Sequence, residues 1–431
     1  MSRAERIGLV LSGGGARGAY EAGVLSVLGP VLEQRGERPT MVVGTSVGAI
    51  NAAFLAGTAH LDADEAVALG IEHWSEVTKG EVIRPILSRQ IPLTVLRYAG
   101  EVLSLPGVRL PSLLDPKPLE GNLKRRWVDW AAVHRNVNNG LVDAVAAVTT
   151  AARTGRTVVF VESTNRKKLH QSHIIDYVHA KLGDEHVRAS AAIPIFFPPV
   201  RINTPREARG WYFDGGTRLN TPMKPALDLG ADRLVVIGMD AVTEPVLEPG
   251  RHESAPPDFG DGALHMLQGM LVDPVAEDVR ILGNINMFFA NGRPSGRAPE
   301  AAKRYREARG KPPYRRVPYI FVAPTERGAI GKLATEVFRS RYGGWKGLRS
   351  LDFPLLNRLI GGKTPTHGEL LSYLFFDAEF IEELIKMGQS DARRWLESPP
   401  GPDHPWQVEP LEAFTRRGAG RVRLRRARET A

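Results

Sequence analysis

Ser46 stands in Gly44-Thr45-Ser46-Val47-Gly48. This G-x-S-x-G spacing puts a serine on a sharp turn with its hydroxyl raised from the backbone. A hydroxyl so placed becomes a nucleophile once a base takes its proton and donors receive the oxyanion that forms. Gly13-Gly14-Gly15-Ala16-Arg17-Gly18 offers a source of donors upstream. A glycine turn leading into a helix leaves several backbone N–H groups unpaired where an anion is favoured. Two chemistries fit that turn. Gly13-x-Gly15-x-x-Gly18 matches a phosphate cradle for a dinucleotide. The same N–H groups, with that of Val47, also fit an oxyanion hole for acyl transfer. A dinucleotide site wants an acidic residue at the tip of the next strand, about 20 residues on. Met41-Val42-Val43 runs instead into Gly44 and Ser46. The second strand therefore favours acyl transfer, and nucleotide binding is the alternative.

The elements around these residues suit either chemistry. Ile7 to Leu11 is short and continuously apolar, as a buried parallel strand is. Ala19 to Leu32 carries Val24, Val27, Leu28 and Val31 on one helical face, with Pro30 placed to kink or shorten the helix. Gly48 to Ala56 reads as a helix starting directly after Ser46, so strand, turn and helix follow in the order an elbow needs. Asp62 to Glu76 reads as a helix capped by Asp62 or Asp64. Leu119 to His134 reads as one helix. Asp143–Thr150 and Arg156–Val161 read as a hairpin-like pair. His186 to Ala192 is a short helix, Ile195 to Val200 an apolar corner, and Trp211 to Phe213 a strand before the turn Asp214-Gly215-Gly216. Thr221-Pro222 opens a helix to Leu229 with Thr as its cap, and Leu234 to Gly238 is a further buried strand. This alternation over residues 5–240 predicts an α/β domain of three layers, α/β/α, around a mainly parallel central sheet. Six prolines between 85 and 118 break up apolar pieces in an irregular insertion over 80–118. A lid or an acyl-chain wall could sit there.

Residues 241–431 read as a mixed, largely helical C-terminal extension. Its expected parts are one or two helices over 263–290, an exposed basic loop over 293–316, a strand at Tyr319–Val322 and a helix over Asp377–Leu396. A basic tail over 416–428 carries seven arginines. The 431 residues hold 42% apolar residues, net charge +9 and no cysteine. Disulfides, thiolate chemistry and Cys-built metal sites are thereby excluded. The positive charge favours acidic surfaces, either an anionic membrane face or nucleic acid. Aromatics interleave poorly with the charges and no nucleic-acid motif occurs, so the membrane is the expected partner. No signal peptide and no run of 18 apolar residues is seen. The expected place is cytoplasmic, peripheral on the inner membrane face. Asp143/Asp184 and Asp273/Asp278 do not have metal-site spacing, so no metal or cofactor is expected.

Taken together, Gly13–Gly18, Gly44–Gly48 and Asp214–Gly216 resemble, in order and spacing, the three signature blocks of the patatin-like phospholipase family. Ser112–Leu119 and Ala189–Pro199 resemble stretches common in that family. The resemblance covers about residues 7–240. It implies a lipid acyl hydrolase cleaving carboxylic esters of phospholipid, lysophospholipid or acylglycerol through a serine–aspartate dyad. Ser46 is then the nucleophile and Asp214 the base. Gly13, Gly14, Gly15, Arg17, Gly18 and Val47 frame the oxyanion hole, with Gly44, Gly48, Gly215 and Gly216 in support. The same dyad permits acyl transfer to an acceptor other than water. A free aspartate, with a pKa of about 3.9, is a poor base for a serine, and partial desolvation would help by raising it. Arg17 is expected to give its backbone N–H to the hole and its side chain to the structure, with a lipid phosphate as the other partner. His252, His265, His367 or His404 would complete a triad in chain order, but none has a supporting local pattern.

Overall fold

The computed structural model describes residues 5–82, 84–85, 114–165, 174–194, 196–239, 241, 269, 275–290, 297–308, 315–342, 365–397, 403–409 and 411. In chain order its main elements begin with β1 (Ile7–Leu11), α1 (Gly18–Gln34), β2 (Met41–Thr45), α2 (Val47–Gly57) and α3 (Ala63–Glu76). Then come α4 (Lys117–Arg125), α5 (Trp130–Asn138), β3 (Ala144–Ala151), β4 (Thr157–Glu162), β5 (Ile175–His179) and α6 (Asp184–Ser190). Next are β6 (Val200–Ile202), β7 (Gly210–Asp214), α7 (Met223–Leu229), β8 (Arg233–Ile237), α8 (Val275–Ala290) and α9 (Arg297–Glu307). The last are β9 (Tyr319–Val322), α10 (Ala329–Tyr342), α11 (Pro365–Leu374) and α12 (Ala378–Leu396).

Nine strands form one sheet in the order β9-β8-β1-β2-β3-β4-β5, with β7 on β3 and β6 on β7. All ladders from β9 across to β3 are parallel. β4 and β7 run antiparallel to β3. Alternation along the strands divides the core in two. Leu9, Leu11, Val42, Val145 and Val235 face one apolar cluster, shared with α1, α2 and α12. Val10, Met41, Val43, Ala146 and Val236 face the other, where Met223 and Ala226 of α7 and Val279 and Leu282 of α8 pack. This is the three-layer α/β/α arrangement. Among the described residues, no helix is long and apolar enough to cross a membrane.

The chain beyond residue 240 enters this same sheet. β9 lies parallel to β8, with Leu234 opposite Tyr319. α12 lies against α1 at backbone contact. A Cβ on Gly388 would stand 2.3 Å from the Tyr20 carbonyl oxygen, and one on Gly23 would stand 2.2 Å from that of Ile385. The Tyr20 hydroxyl, buried beneath α12, donates to Asp391 at 2.9 Å.

Several local expectations are corrected. Leu119–His134 is two helices, because the Asp129 carboxylate accepts the Ala132 N–H at 2.9 Å and starts α5 afresh. α1 runs through Pro30 to Gln34, with Leu28 and Leu32 buried on either side of it. Thr221 does not cap α7, since its hydroxyl meets the Ser12 hydroxyl at 2.9 Å. β5 and β6 are strands where none was expected. β6 begins at Val200, the last residue of the apolar corner, and forms because Val200, Arg201 and Ile202 pair with β7. Residues 297–307 of the expected basic loop are helical. Residues 86–113 of the insertion and the whole 416–428 tail lie outside the described residues.

Candidate active site

Strand β3 measures where the site residues fall. Thr45, the last residue of β2, is opposite Val148. Asp214, the last residue of β7, is opposite Thr149. β2 and β7 thus approach each other head-on along the same side of β3, and their tips meet at consecutive residues of that strand. The chain leaves β2 at Ser46 and leaves β7 after Asp214, so both side chains gather at this junction.

Ser46 has φ 54° and ψ −124°, and it is the one non-glycine with positive φ among the described residues. The elbow needs its flanking glycines. A Cβ on Gly44 would stand 2.0 Å from the Gly48 carbonyl oxygen, and one on Gly48 would stand 2.5 Å from that of Leu11. The Ser46 N–H donates to the Ser190 hydroxyl at 2.8 Å, and that hydroxyl donates to the Val148 carbonyl at 2.6 Å. Ser190 therefore ties the Ser46 turn to β3 through α6.

Asp214 is 1% exposed. Its Oδ1 accepts the Gly216 N–H at 2.6 Å. Its Oδ2 is buried without a well-formed hydrogen bond. Burial pushes the carboxyl up to about 7, opposed by the Ser46 hydroxyl and the Gly216 N–H. The Ser46 hydroxyl is thus near enough to be felt by the carboxyl without a well-aligned bond. A carboxyl titrating near neutrality is a far better proton acceptor for a serine than a free aspartate.

The glycine turn is not uniform. Gly13 donates its N–H to the Asn220 carbonyl at 3.1 Å and accepts from Asn220 Nδ2 at 3.2 Å. Arg17 donates its N–H to the Gly14 carbonyl at 3.2 Å, and the Gly18 N–H turns back to the carbonyls of Gly15 and Ala16. The N–H groups of Gly14, Gly15 and Val47 have no acceptor among the described residues. Gly15 and Val47 line a cavity of about 100 Å³ together with Ser46. Its other walls are mostly apolar, among them Phe54 of α2, Trp74 of α3, Phe197, Leu374 and Phe376. His73 is the one histidine on this lining, and burial holds its pKa below the ordinary value, with the Arg126 charge adding to the effect.

The Arg17 side chain is 2% exposed. Its guanidinium donates to the Ser372 hydroxyl and the Glu369 carbonyl, each at 2.7 Å, and pairs with the Glu369 carboxylate. Behind the turn, Glu21 Oε2 accepts from Asn51 Nδ2 at 2.7 Å, and Trp74 Nε1 donates to Asn51 Oδ1 at 3.1 Å. Burial raises the Glu21 carboxyl to about 8. Among the described residues, neither Ser46 nor Asp214 is hydrogen-bonded to a histidine. His252 and His265 lie outside those residues.

Sequence reasoning missed Ser190, Asn220, Glu21 and the Glu369–Ser372 pair. Ser190 lies in a stretch that resembled the family, which was a usable signal. Glu21 meets Asn51 30 residues on, Asn220 reaches Gly13 across 207 residues and Glu369 reaches Arg17 across 352, and none of these carries a local pattern.

The fold is the three-layer α/β/α arrangement of a patatin domain, with a serine elbow and a buried aspartate at one strand junction. A family model for patatin-like phospholipase matches residues 9–227, half of the chain, and the chain belongs to that family. Among solved structures, VipD from Legionella pneumophila is similar over 75% of this chain, at 17% identity and a TM-score of 0.30. The similarity covers 62% of VipD, less than two thirds of its length. No curated protein matches the chain.

Proposed function

We propose that the protein hydrolyses carboxylic esters of lipids through a Ser46 acyl-enzyme, with Asp214 as the only base. The observation that carries this reading is the meeting of Thr45–Ser46 and Asp214 at consecutive positions of β3, with Asp214 raised to about 7 by burial. Ser46 Oγ attacks the ester carbonyl carbon as its proton passes to Asp214. The carbonyl oxygen becomes an oxyanion and takes hydrogen bonds from Gly14, Gly15 and Val47. Gly13, Arg17 and Gly18 hold the turn in shape. The C–O bond breaks and the alcohol leaves with the proton from Asp214. Water then attacks the acyl-enzyme, giving a proton to Asp214. The fatty acid departs as Ser46 recovers its proton. The apolar cavity takes the acyl chain. An alcohol acceptor in place of water would make the same acyl-enzyme a transferase, and product analysis with competing alcohols separates the two. The protein works at a lipid surface, and the charge of 293–316 and 416–428 supports attraction to anionic headgroups, worth about 1 kcal/mol per basic residue near the surface.

The test is hydrolysis of a nitrophenyl ester with fluorophosphonate labelling mapped by mass spectrometry. Ser46→Ala and Asp214→Asn are each expected to lose at least about 1,000-fold in kcat, with the parent labelled at Ser46. Activity retained by Ser46→Ala, or a label elsewhere, would overturn the assignment.

A further inference from the structure

The C-terminal segment 369–376 touches the site in two ways at once. Toward the glycine turn it is a clamp. Glu369 and Ser372 receive the buried Arg17 guanidinium, and the Tyr373 ring lies under it, 4.2 Å from Arg17 Cζ to the ring centroid. Gly15, at φ 58°, lies so close to Tyr373 that a Cβ there would stand 2.1 Å from the Tyr373 carbonyl oxygen. Toward the cavity the same segment is a wall, where Tyr373, Leu374 and Phe376 line the space that also holds Ser46. The clamp is anchored elsewhere too. Glu369 Oε1 accepts the Gly331 N–H of α10 at 3.2 Å.

A wall pressed by an acyl chain and a clamp that sets the donors are therefore one stretch of backbone. Resting on the proposed Ser46 chemistry, we infer that residues 369–376 are positioning and specificity-determining residues that couple acyl-chain occupancy to the geometry of the Gly14–Gly15 donors. An interaction that improves donor placement acts in the transition state and appears in kcat, whereas simple chain binding appears in KM. Chain length is thus read in kcat. Arg17 serves as the link rather than as a ligand for phosphate.

The test uses the full chain and the nitrophenyl esters of acetate, octanoate and palmitate. In the parent, kcat rises from acetate to octanoate. Glu369→Gln lowers kcat for all three esters and slows fluorophosphonate labelling, each about tenfold, with little change in KM. Glu369→Asp recovers part of the loss. Leu374→Ala flattens the dependence of kcat on chain length. If Glu369→Gln does not fold, Ser372→Ala, which removes only the hydroxyl that receives Arg17 Nε, gives a smaller loss of the same kind. A parent whose chain dependence lies wholly in KM overturns the inference. So does labelling at the parental rate in folded Glu369→Gln or Ser372→Ala. A parent that does not label at Ser46 overturns the underlying chemistry instead, so the two failures are told apart.

Discussion

Residues 9–227 and the chain beyond 240 share one sheet but serve it differently. The first region places Ser46 and Asp214 at strand tips, where short turns bring the two buried side chains together. The second supplies an edge strand and helices that cover the first, and at 369–376 it reaches the turn that faces Ser46. The contrast teaches where a site's information is stored. Reactive groups are fixed by a few neighbouring residues, while the surfaces that hold them come from distant chain.

If that division is right, damage to the two regions separates. Gly15→Ala strikes where they meet. The added Cβ forces the turn away from Tyr373, at a φ that L side chains rarely adopt. A loss of about 100- to 1,000-fold in kcat is expected, as when an oxyanion donor is removed, with circular dichroism unchanged. A loss confined to KM would mean that Tyr373 does not set the geometry of the Gly15 turn.

Gly388→Ala strikes the seam by which the second region covers the first, through α12 rather than through the 369–376 clamp. Its Cβ would press on the Tyr20 carbonyl and force α12 off α1. Denaturant unfolding is expected to show about 1–3 kcal/mol of destabilisation, with kcat of the folded fraction nearly parental. A large fall in kcat at full folding would show that α12 also shapes the site.

The smallest effect sharpens the first region's chemistry. kcat/KM is expected to rise with pH through about 7, as Asp214 loses its proton, and then to level. Stability moves the other way. Burial favours the neutral carboxyl, so the folded chain holds this proton more tightly than the unfolded one. That contribution is complete below a pH of about 4 and is lost as pH rises through about 7. Asp214→Asn is expected to melt a few degrees above the parent at alkaline pH and level with it in acid. Glu21 is raised in the same way but is present in both proteins, so it cancels. Equal melting points at every pH would mean that Asp214 is not held against its charge.

Much of the first region was legible because its signals are short. Glycines 13–15 after an apolar strand, and a serine between Gly44 and Gly48, are patterns within one turn of backbone. The parallel strands β1, β2 and β8 were readable as continuous apolar runs. Inside the turn the reading was coarser. Nothing local says that Asn220 captures the Gly13 N–H, which leaves Gly14 and Gly15 as the open donors. β6 was illegible because three residues pair only once β7 is beside them. The Arg17–Glu369 pair spans 352 residues, and no periodicity links its two ends.

The backbone at Ser46 carries a last consequence. A residue other than glycine held in such a conformation costs about 1–3 kcal/mol. A redesign guided by stability alone would therefore alter position 46 early and write glycine there. It would deliver a firmer protein and, on the proposed Ser46 chemistry, a silent one. On that chemistry the residue that thermal screening would discard is the one that does the work, so a search for robust variants of this chain has to score turnover beside melting.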